Sequence, residues 1–298
     1  MAKEQDFILQ TFSKLLNLPK ESKKIPTYAN QVYAFEGKQI LKIFDSEEEW
    51  ENYLAVSNLF HQHNIITPII RAKGNNPRPY ILMDLLDGHP ISEEPTLKAH
   101  KNFGECVGKL HQVKFEQFGG IHNADVGIYY KIKSGPFNNW KDMHISLVEH
   151  RMRGFDSTIL QSLVSDVRSY FGGYSYPIFH PALVHEDLHA KNVFVKDGII
   201  TGLIDLDEGY SGCAEEDLMR IEIAQYEEHP NLRESFLEGY MKYNSLLPNY
   251  EDRRPHFRLS RLLVEADCVI NLSNYKIKDK KLALQTVYDE ISSILIND

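Results

Sequence analysis

Leu183-Val184-His185-Glu186-Asp187-Leu188-His189-Ala190-Lys191-Asn192-Val193-Phe194-Val195-Lys196-Asp197-Gly198-Ile199-Ile200-Thr201-Gly202-Leu203-Ile204-Asp205 is the stretch on which the reading of this chain turns. It admits two backbones. His185-Glu186-x-x-His189 is an H-E-x-x-H, which binds zinc only on a helix, where residues four apart share a face. The flanks point elsewhere. Leu183-Val184 before the motif and Val193-Phe194-Val195 after it are apolar and rich in β-branched and aromatic side chains, the composition of strands. Asp197-Gly198 accepts the positive φ of a tight hairpin turn. Residues 199–206 are again apolar and β-branched. The stretch therefore predicts strand, loop, strand, turn, strand. In that backbone the two histidines need not face one metal, and no downstream acid stands in a recognisable spacing to complete a zinc site.

On a strand–loop–strand frame the polar residues sort into a different chemistry. Phosphoryl transfer needs a carboxylate to orient an attacking hydroxyl and take its proton. It also needs oxygen ligands to hold Mg²⁺ against the β- and γ-phosphates. Asp187 lies in the loop, Asn192 follows five residues later, and Asp205 ends the second arm of the hairpin. The arms are of similar length, so the hairpin brings Asn192 and Asp205 together. Singly, each residue reads as a loop cap or a strand end; in this order they read as a site.

His185-Glu186-Asp187-Leu188-His189-Ala190-Lys191-Asn192 with Leu203-Ile204-Asp205-Leu206-Asp207 resembles the signature pair of the aminoglycoside phosphotransferase and choline kinase family. The usual form is H-G-D-L-H-x-x-N, and Glu186 stands where that family commonly has glycine. The resemblance implies an α+β, two-lobed protein-kinase-like fold, with a small antiparallel-sheet N-lobe and a larger, mainly helical C-lobe. It implies Asp187 as catalytic base, Asn192 and Asp205 as metal ligands, His185 as a structural anchor and His189 near the transferred phosphate. Gln39-Ile40-Leu41-Lys42-Ile43-Phe44 resembles the strand that carries the phosphate-binding lysine, and an ammonium inside an apolar β-run needs a partner. Lys42 would pair with the phosphates and with a glutamate of the following helix. Glu51 fits the family register best, with Glu48 and Glu49 as rivals, although acids in a first helical turn also suit the helix dipole. Tyr80-Ile81-Leu82-Met83-Asp84-Leu85-Leu86-Asp87-Gly88 resembles the interlobe hinge, where backbone groups from Asp84 to Leu86 would bind adenine. The co-substrate implied is ATP or GTP with Mg²⁺. The acceptor implied is a hydroxyl of a small molecule, with an aminoglycoside, and so antibiotic resistance, leading over choline, amino alcohols, sugars and macrolides.

Two departures stand out. The phosphate loop before Lys42, Pro26-Thr27-Tyr28-Ala29-Asn30-Gln31-Val32-Tyr33, contains no glycine. That keeps alive a catalytically silent nucleotide-binding module. Only eleven residues separate Asp205 from Asp217, too few for a protein-kinase activation loop, which favours a small-molecule acceptor. Asp217-Leu218 resembles a structural pair of the family. Gly104-Glu105-Cys106-Val107-Gly108-Lys109 mimics a Walker A loop but is one residue short, lacks the Ser/Thr and has helical apolar spacing. His111 reads as a packed core histidine.

The chain has 298 residues, 42% hydrophobic and 25% charged, which suits a folded enzyme with a substantial core. Three cysteines in unpaired spacing suggest reduced thiols and the cytoplasm. No leading apolar core and no run of roughly 20 apolar residues suggests export or a membrane span. The net charge of −9 disfavours nucleic acid as a partner. Acids crowd after the metal site: Asp205, Asp207, Glu208, Glu215, Glu216, Asp217, Glu222, Glu227, Glu228, Glu234 and Glu238. Collectively they lean slightly towards a cationic acceptor.

Apolar spacing predicts an N-terminal helix over residues 7–18, a hairpin of residues 32–35 and 40–44, then a helix and strands over 65–72 and 80–86. The boundary falls near Asp87-Gly88. Residues 1–87 would bind nucleotide and residues 88–298 would carry catalysis and the acceptor. Core stripes follow at Ile159, Leu160, Leu163, Val164, Val167 and Phe171, at Leu259, Leu262, Leu263 and Ala266, and at Leu284, Val287, Ile291 and Leu295. Residues 119–153 would shape the acceptor pocket.

Overall fold

The computed structural model of the chain describes residues 2–19, 21–27, 30–36, 38–122, 125–271 and 279–297. The chain divides into two compact units, Met1–Trp50 with Pro68–Leu86, and Glu51–Thr67 with Asp87–Asp298. In the first unit, α1 (Ala2–Leu15) leads into β1 (Ser22–Ile25), β2 (Gln31–Phe35) and β3 (Gln39–Ile43). Then α2 (Glu47–Gln62) begins, and β4 (Ile70–Gly74) and β5 (Tyr80–Asp84) complete an antiparallel sheet of order β1-β2-β3-β5-β4. Alternation sends Tyr33, Phe35, Leu41, Ile43, Tyr80 and Leu82 to one face, where Phe12 of α1 packs against them. Of the expected phosphate loop, Tyr28 and Ala29 lie outside the described residues.

The strand expected over 65–72 forms later, as β4. Pro68 has no N–H to give a ladder. The residues before it are engaged in the second unit: the Leu203 N–H donates to Ile66 O (3.0 Å) and the Thr67 hydroxyl donates to Leu203 O (3.0 Å). Residues 51–67 cluster with that unit for the same reason; the buried Asn52 amide donates to Asp207 O (2.7 Å) and Gly209 O (2.9 Å).

The second unit continues with β6 (His89–Pro90), α3 (Leu97–Leu110), β7 (Gly120–His122), β8 (Asp125–Gly127), α4 (Trp140–Arg151) and α5 (Val164–Gly173). It ends with β9 (Ala182–Val184), β10 (Val193–Lys196), β11 (Ile199–Leu203), β12 (Tyr210–Gly212), α6 (Ala214–Gln225), α7 (Pro230–Tyr240), α8 (Arg254–Asn271) and α9 (Lys280–Asn297). The α+β class, with a small antiparallel-sheet unit and a mainly helical second unit, is what the chain forms. The three helical stripes meet in one core of Leu160, Leu163, Val167, Phe171, Leu259, Leu262, Leu263, Ala266, Val287 and Ile291. Ile159 is the exception at 41% exposed, because residues Ile159–Leu163 wind as a 3₁₀ turn and leave the α-helical phase.

The Walker-like run lies inside α3. Its glycines serve packing: a Cβ on Gly104 would stand 1.9 Å from Phe236 O of α7. Among the described residues no helix is long and apolar enough to cross a membrane.

Candidate active site

The deciding stretch folds as strand, loop, strand, turn, strand. β9 ends at Val184, residues 185–192 form the loop, and β10 and β11 form a hairpin whose turn residues Asp197 (φ 53°) and Gly198 (φ 75°) are left-handed. The helical backbone that zinc would need is absent from the loop. His185 is spent on the fold: its Nε2–H donates to Ile204 O (3.0 Å) and its Nδ1 accepts from the Asp187 N–H (3.3 Å). With both nitrogens engaged and no exposure, it anchors the loop and ligates nothing.

The hairpin closes the site. The Ile204 N–H donates to Asn192 O (3.0 Å), which sets Asp205 beside Asn192. Asp205 takes a left-handed backbone, φ 67° and ψ 60°, and its side chain is exposed. Asn192 is buried, and its Nδ2 donates to both Asp187 O and Asp187 Oδ2, each at 3.0 Å. That leaves Oδ1 as the acceptor atom of the amide. Asp187 Oδ1 accepts from Arg220 Nη2 (3.0 Å), and His189 Nε2 lies 3.5 Å from Oδ2. The Lys191 N–H donates to His189 Nδ1 (3.2 Å), so the proton sits on Nε2 and faces Asp187. Burial lowers the His189 pKa against the pull of Asp187, keeping the ring neutral at neutral pH.

Asp217 holds the loop from beneath. It is fully buried; Oδ2 accepts from the His185 N–H (2.8 Å) and Oδ1 from the Glu186 N–H (2.7 Å). His111 Nε2 meets Oδ2 at 3.1 Å, and His111 Nδ1 meets the Tyr240 hydroxyl at 3.1 Å. Burial opposes the Asp217 charge, but the His111 hydrogen bond, helped by His185, outweighs it and holds the carboxyl below its usual range. His111 is thus a core histidine with a structural task.

In the first unit, Lys42 sits on β3 opposite Val32 and Ile81, 4% exposed, with Nζ 5.1 Å over the Phe44 ring. Of the glutamates offered for Lys42, Glu51 is exposed on α2, whereas Glu49, capped by Ser46 (N–H to Oγ 3.1 Å), turns Oε2 away from solvent. A glutamate that serves a buried ammonium must itself be turned inward. At the expected hinge, Asp84 is bound by Arg71 in a fork (2.8 and 2.6 Å). Its N–H donates to Ile69 O (3.0 Å), and the Leu85 N–H donates to Lys38 O (2.7 Å). Neither N–H is available to a base, which leaves the Leu86 N–H as the candidate donor.

Several of the acids after Asp205 are already paired. Glu215 forks onto Arg253 (2.7 and 2.5 Å). Glu222, fully buried, is shared by Arg233 (2.8 Å), Arg254 (2.5 Å) and the Tyr250 hydroxyl (2.7 Å). Glu227 pairs with Arg258 (3.2 Å), Glu208 with Lys131 and Glu238 with Lys101. Five of the eleven acids therefore neutralise the protein's own cations.

What the sequence did not reveal is a recess beside Asp187. It is lined by Arg151, Glu186, Glu216, Arg220, Ser260 and Arg261, with apolar side chains from α6 and α8. Glu186, at φ 67°, reaches Arg151 (3.3 Å) and the Tyr210 hydroxyl (3.5 Å). The one sequence signal was Arg220, three residues after Asp217 and so on the same helical face.

Burial, then the neighbouring Glu186 carboxylate, pushes Glu216 up to about 8. A carboxyl raised on folding retains a proton that the unfolded chain has lost, so stability falls as pH rises from the unfolded pKa of about 4.3 to the folded value. Glu216→Gln, which mimics the protonated form, is expected to gain on the wild type across that window by on the order of a few kcal/mol and then level off. Denaturation at stepped pH checks this; a pH-independent difference between the two proteins would refute it.

The sequence matches the profile of the phosphotransferase enzyme family over residues 23–256. A search of the curated proteins found no match. Among solved structures, a choline/ethanolamine kinase family protein from Mesorhizobium loti is similar with TM-score 0.68 at 13% identity, covering 98% of this chain and 94% of that one. Aminoglycoside phosphotransferase APH(4)-Ia is similar with TM-score 0.70 at 14% identity, covering 97% of each chain. The amicoumacin kinase hAmiN, in complex with AMP-PNP, Ca²⁺ and Ami, is similar with TM-score 0.68 at 16% identity, covering 99% and 96%. At such identities the neighbours speak for the fold; the profile match, which spans most of the chain and takes in the whole Asp187–Asp205 stretch, makes it a member of the phosphotransferase enzyme family.

Proposed function

We propose that the enzyme transfers the γ-phosphoryl group of ATP, or of GTP, to a hydroxyl of a small molecule. The observation that carries this reading is the Asp187 carboxylate, fixed on Oδ1 by Arg220 and on Oδ2 by Asn192. Two hydrogen bonds leave lone pairs on both oxygens for an acceptor hydroxyl. As that hydroxyl attacks, its oxygen bonds to the γ-phosphorus while the bond from phosphorus to the β,γ-bridging oxygen breaks. The nucleoside diphosphate leaves with the electron pair, and the hydroxyl proton passes to Asp187. His189 is placed to donate to Asp187 or, with substrate bound, to a phosphate oxygen.

The oxygen donors fit magnesium. Asn192 Oδ1 and the exposed Asp205 carboxylate are hard ligands of the kind Mg²⁺ takes, and they would hold it. When bound, Mg²⁺ neutralises charge on the phosphates. Lys42 would pair with the phosphates, with Glu49 rather than Glu51 as its helix partner, and the Leu86 N–H would receive adenine. The presence of every one of these groups favours an enzyme over a silent binding module. Three free cysteines fit a reducing, cytoplasmic setting, and the net charge of −9 fits a partner that is not nucleic acid. The aminoglycoside reading, with its implication of antibiotic resistance, loses part of its electrostatic support because five of the eleven acids pair with the protein's own cations.

Lys42→Met removes charge-assisted hydrogen bonds to the nucleotide, and kcat/KM for nucleotide is expected to fall roughly 10- to 100-fold. Phosphate transfer from labelled ATP with Mg²⁺, across a panel of hydroxyl acceptors, measures both the activity and this loss. No transfer to any acceptor and no nucleotide-dependent thermal shift would end the phosphotransferase reading.

A further inference from the structure

We infer that the acceptor carries an anionic group, a carboxylate or its equivalent, which docks on Arg220 and Arg261 in the recess beside Asp187, with its hydroxyl towards Asp187. This rests on the phosphotransferase reading and narrows its acceptor class. Three guanidinium groups line the recess, and they differ in how they are used. Arg151, 13% exposed, is satisfied by Glu186 (3.3 Å) and by Ser260 Oγ (3.1 Å). Arg220, 14% exposed, gives Nη2 to Asp187, but its Nε is buried and has no hydrogen-bond partner among the described residues. The Nε of Arg261 is likewise buried without a hydrogen bond; its nearest anion, Glu265 on the next turn, stands at 3.5 Å and is 45% exposed.

A buried donor left unsatisfied is destabilising. Two such donors on cations that both line the recess favour an anion there, brought by a ligand to the outer nitrogens of the guanidinium groups. Burial, then the charge of Arg220, lowers the Arg261 pKa against the smaller opposing pull of Glu265, Glu186 and Asp187. The acids of the recess are themselves engaged. Glu186 is taken by Arg151 and Tyr210, and Glu216 accepts from the Cys213 N–H (2.8 Å). Phe257, Met219 and Val264 complete the lining and would cover the carbon body of the acceptor. Arginine suits the task better than lysine, because its fork matches a carboxylate bidentately. In the reaction the anionic group is a spectator. The bonds that change are those of the hydroxyl oxygen, the γ-phosphorus and the leaving diphosphate, and the proton goes to Asp187.

Two matched sets of acceptors test this. The first is 3-hydroxybutyrate, 1,3-butanediol and 4-amino-2-butanol; the second is gluconate, sorbitol and glucamine. Each set keeps one carbon skeleton and offers an anion, a neutral group or a cation. Thermal shift of the protein loaded with Mg²⁺ and AMP-PNP reads binding, and initial rates with Mg·ATP read transfer. The acids are expected to exceed both the diols and the amines by at least about tenfold in affinity or in kcat/KM. Arg261→Met is expected to abolish that preference, and Arg261→Lys to retain part of it. A preference for the amines, no response to the acids up to millimolar concentration, or a preference that survives in Arg261→Met would each overturn the proposal. A circular dichroism melt of both variants separates loss of docking from loss of fold. If nucleotide still binds while the acids show no advantage, the anion site alone fails. If nucleotide does not bind, the phosphotransferase reading fails with it.

Discussion

Asp187→Ala is expected to lower turnover by on the order of 10²- to 10⁴-fold, the usual worth of a positioned general base. Nucleotide affinity should stay within a few-fold of wild type. The carboxylate sits at the meeting point of Arg220, Asn192 and His189, so its removal also frees Asn192 Nδ2 and Arg220 Nη2. Asp187→Asn separates the two effects. It retains one acceptor oxygen, for either Arg220 Nη2 or Asn192 Nδ2, but cannot take up a proton, and it should be almost as inactive while losing less thermal stability than Asp187→Ala. Steady-state rates with any acceptor the enzyme phosphorylates, beside nucleotide titration of each variant, decide the matter. Near-wild-type turnover in either variant would remove Asp187 from the chemistry.

Asp217→Ala should be the most damaging single change to the fold, by roughly 3–5 kcal/mol, the cost of breaking a fully buried charged cluster. The carboxylate is the common acceptor for the His185 and Glu186 amides and for His111. Without it two buried N–H groups and an imidazole lose their partner, and the loop that carries Asp187 loses its floor. Because the folded-state pKa is depressed, this stabilisation is complete above the unfolded carboxyl value of about 3.9 and fades as pH falls through the lower folded value. The gap between variant and wild type should therefore narrow in acid. Urea unfolding at neutral and at acid pH measures both quantities, and a variant within about 1 kcal/mol of wild type at neutral pH would contradict the role.

The strand, loop and hairpin of residues 183–205 were legible in the sequence because their determinants are local. Eight residues from His185 to Asn192, bounded by β-branched runs and closed by Asp197-Gly198, specify one backbone. The same locality exposed the core stripes, since helical periodicity is a nearest-neighbour property. The recess was not legible because Arg151, Arg220 and Arg261 come from α4, α6 and α8 and meet only through packing. The acidic run misled for the same reason. Glu215 finds Arg253 38 positions later, and Glu222 finds Arg254 32 positions later, so the counter-charges could not be read beside the acids. Glu51 and Glu49 lie two residues apart on α2, which places them on nearly opposite sides of a helix that turns about 100° per residue. A shift of two positions in register exchanges an inward carboxylate for an outward one, so sequence spacing alone left the rivals open.

The position before Asp187, Glu186, has a wider meaning. A glutamate held in left-handed backbone carries a conformational penalty of about 1–2 kcal/mol that glycine avoids. Family members with glycine there keep the loop relaxed but forgo a side chain at that point. Here the residue keeps Arg151 occupied, and so decides which of the neighbouring guanidinium groups remain to greet a guest. Selectivity among such enzymes would then diverge by one exchange inside their best-recognised motif, at a position that comparisons of motifs treat as silent.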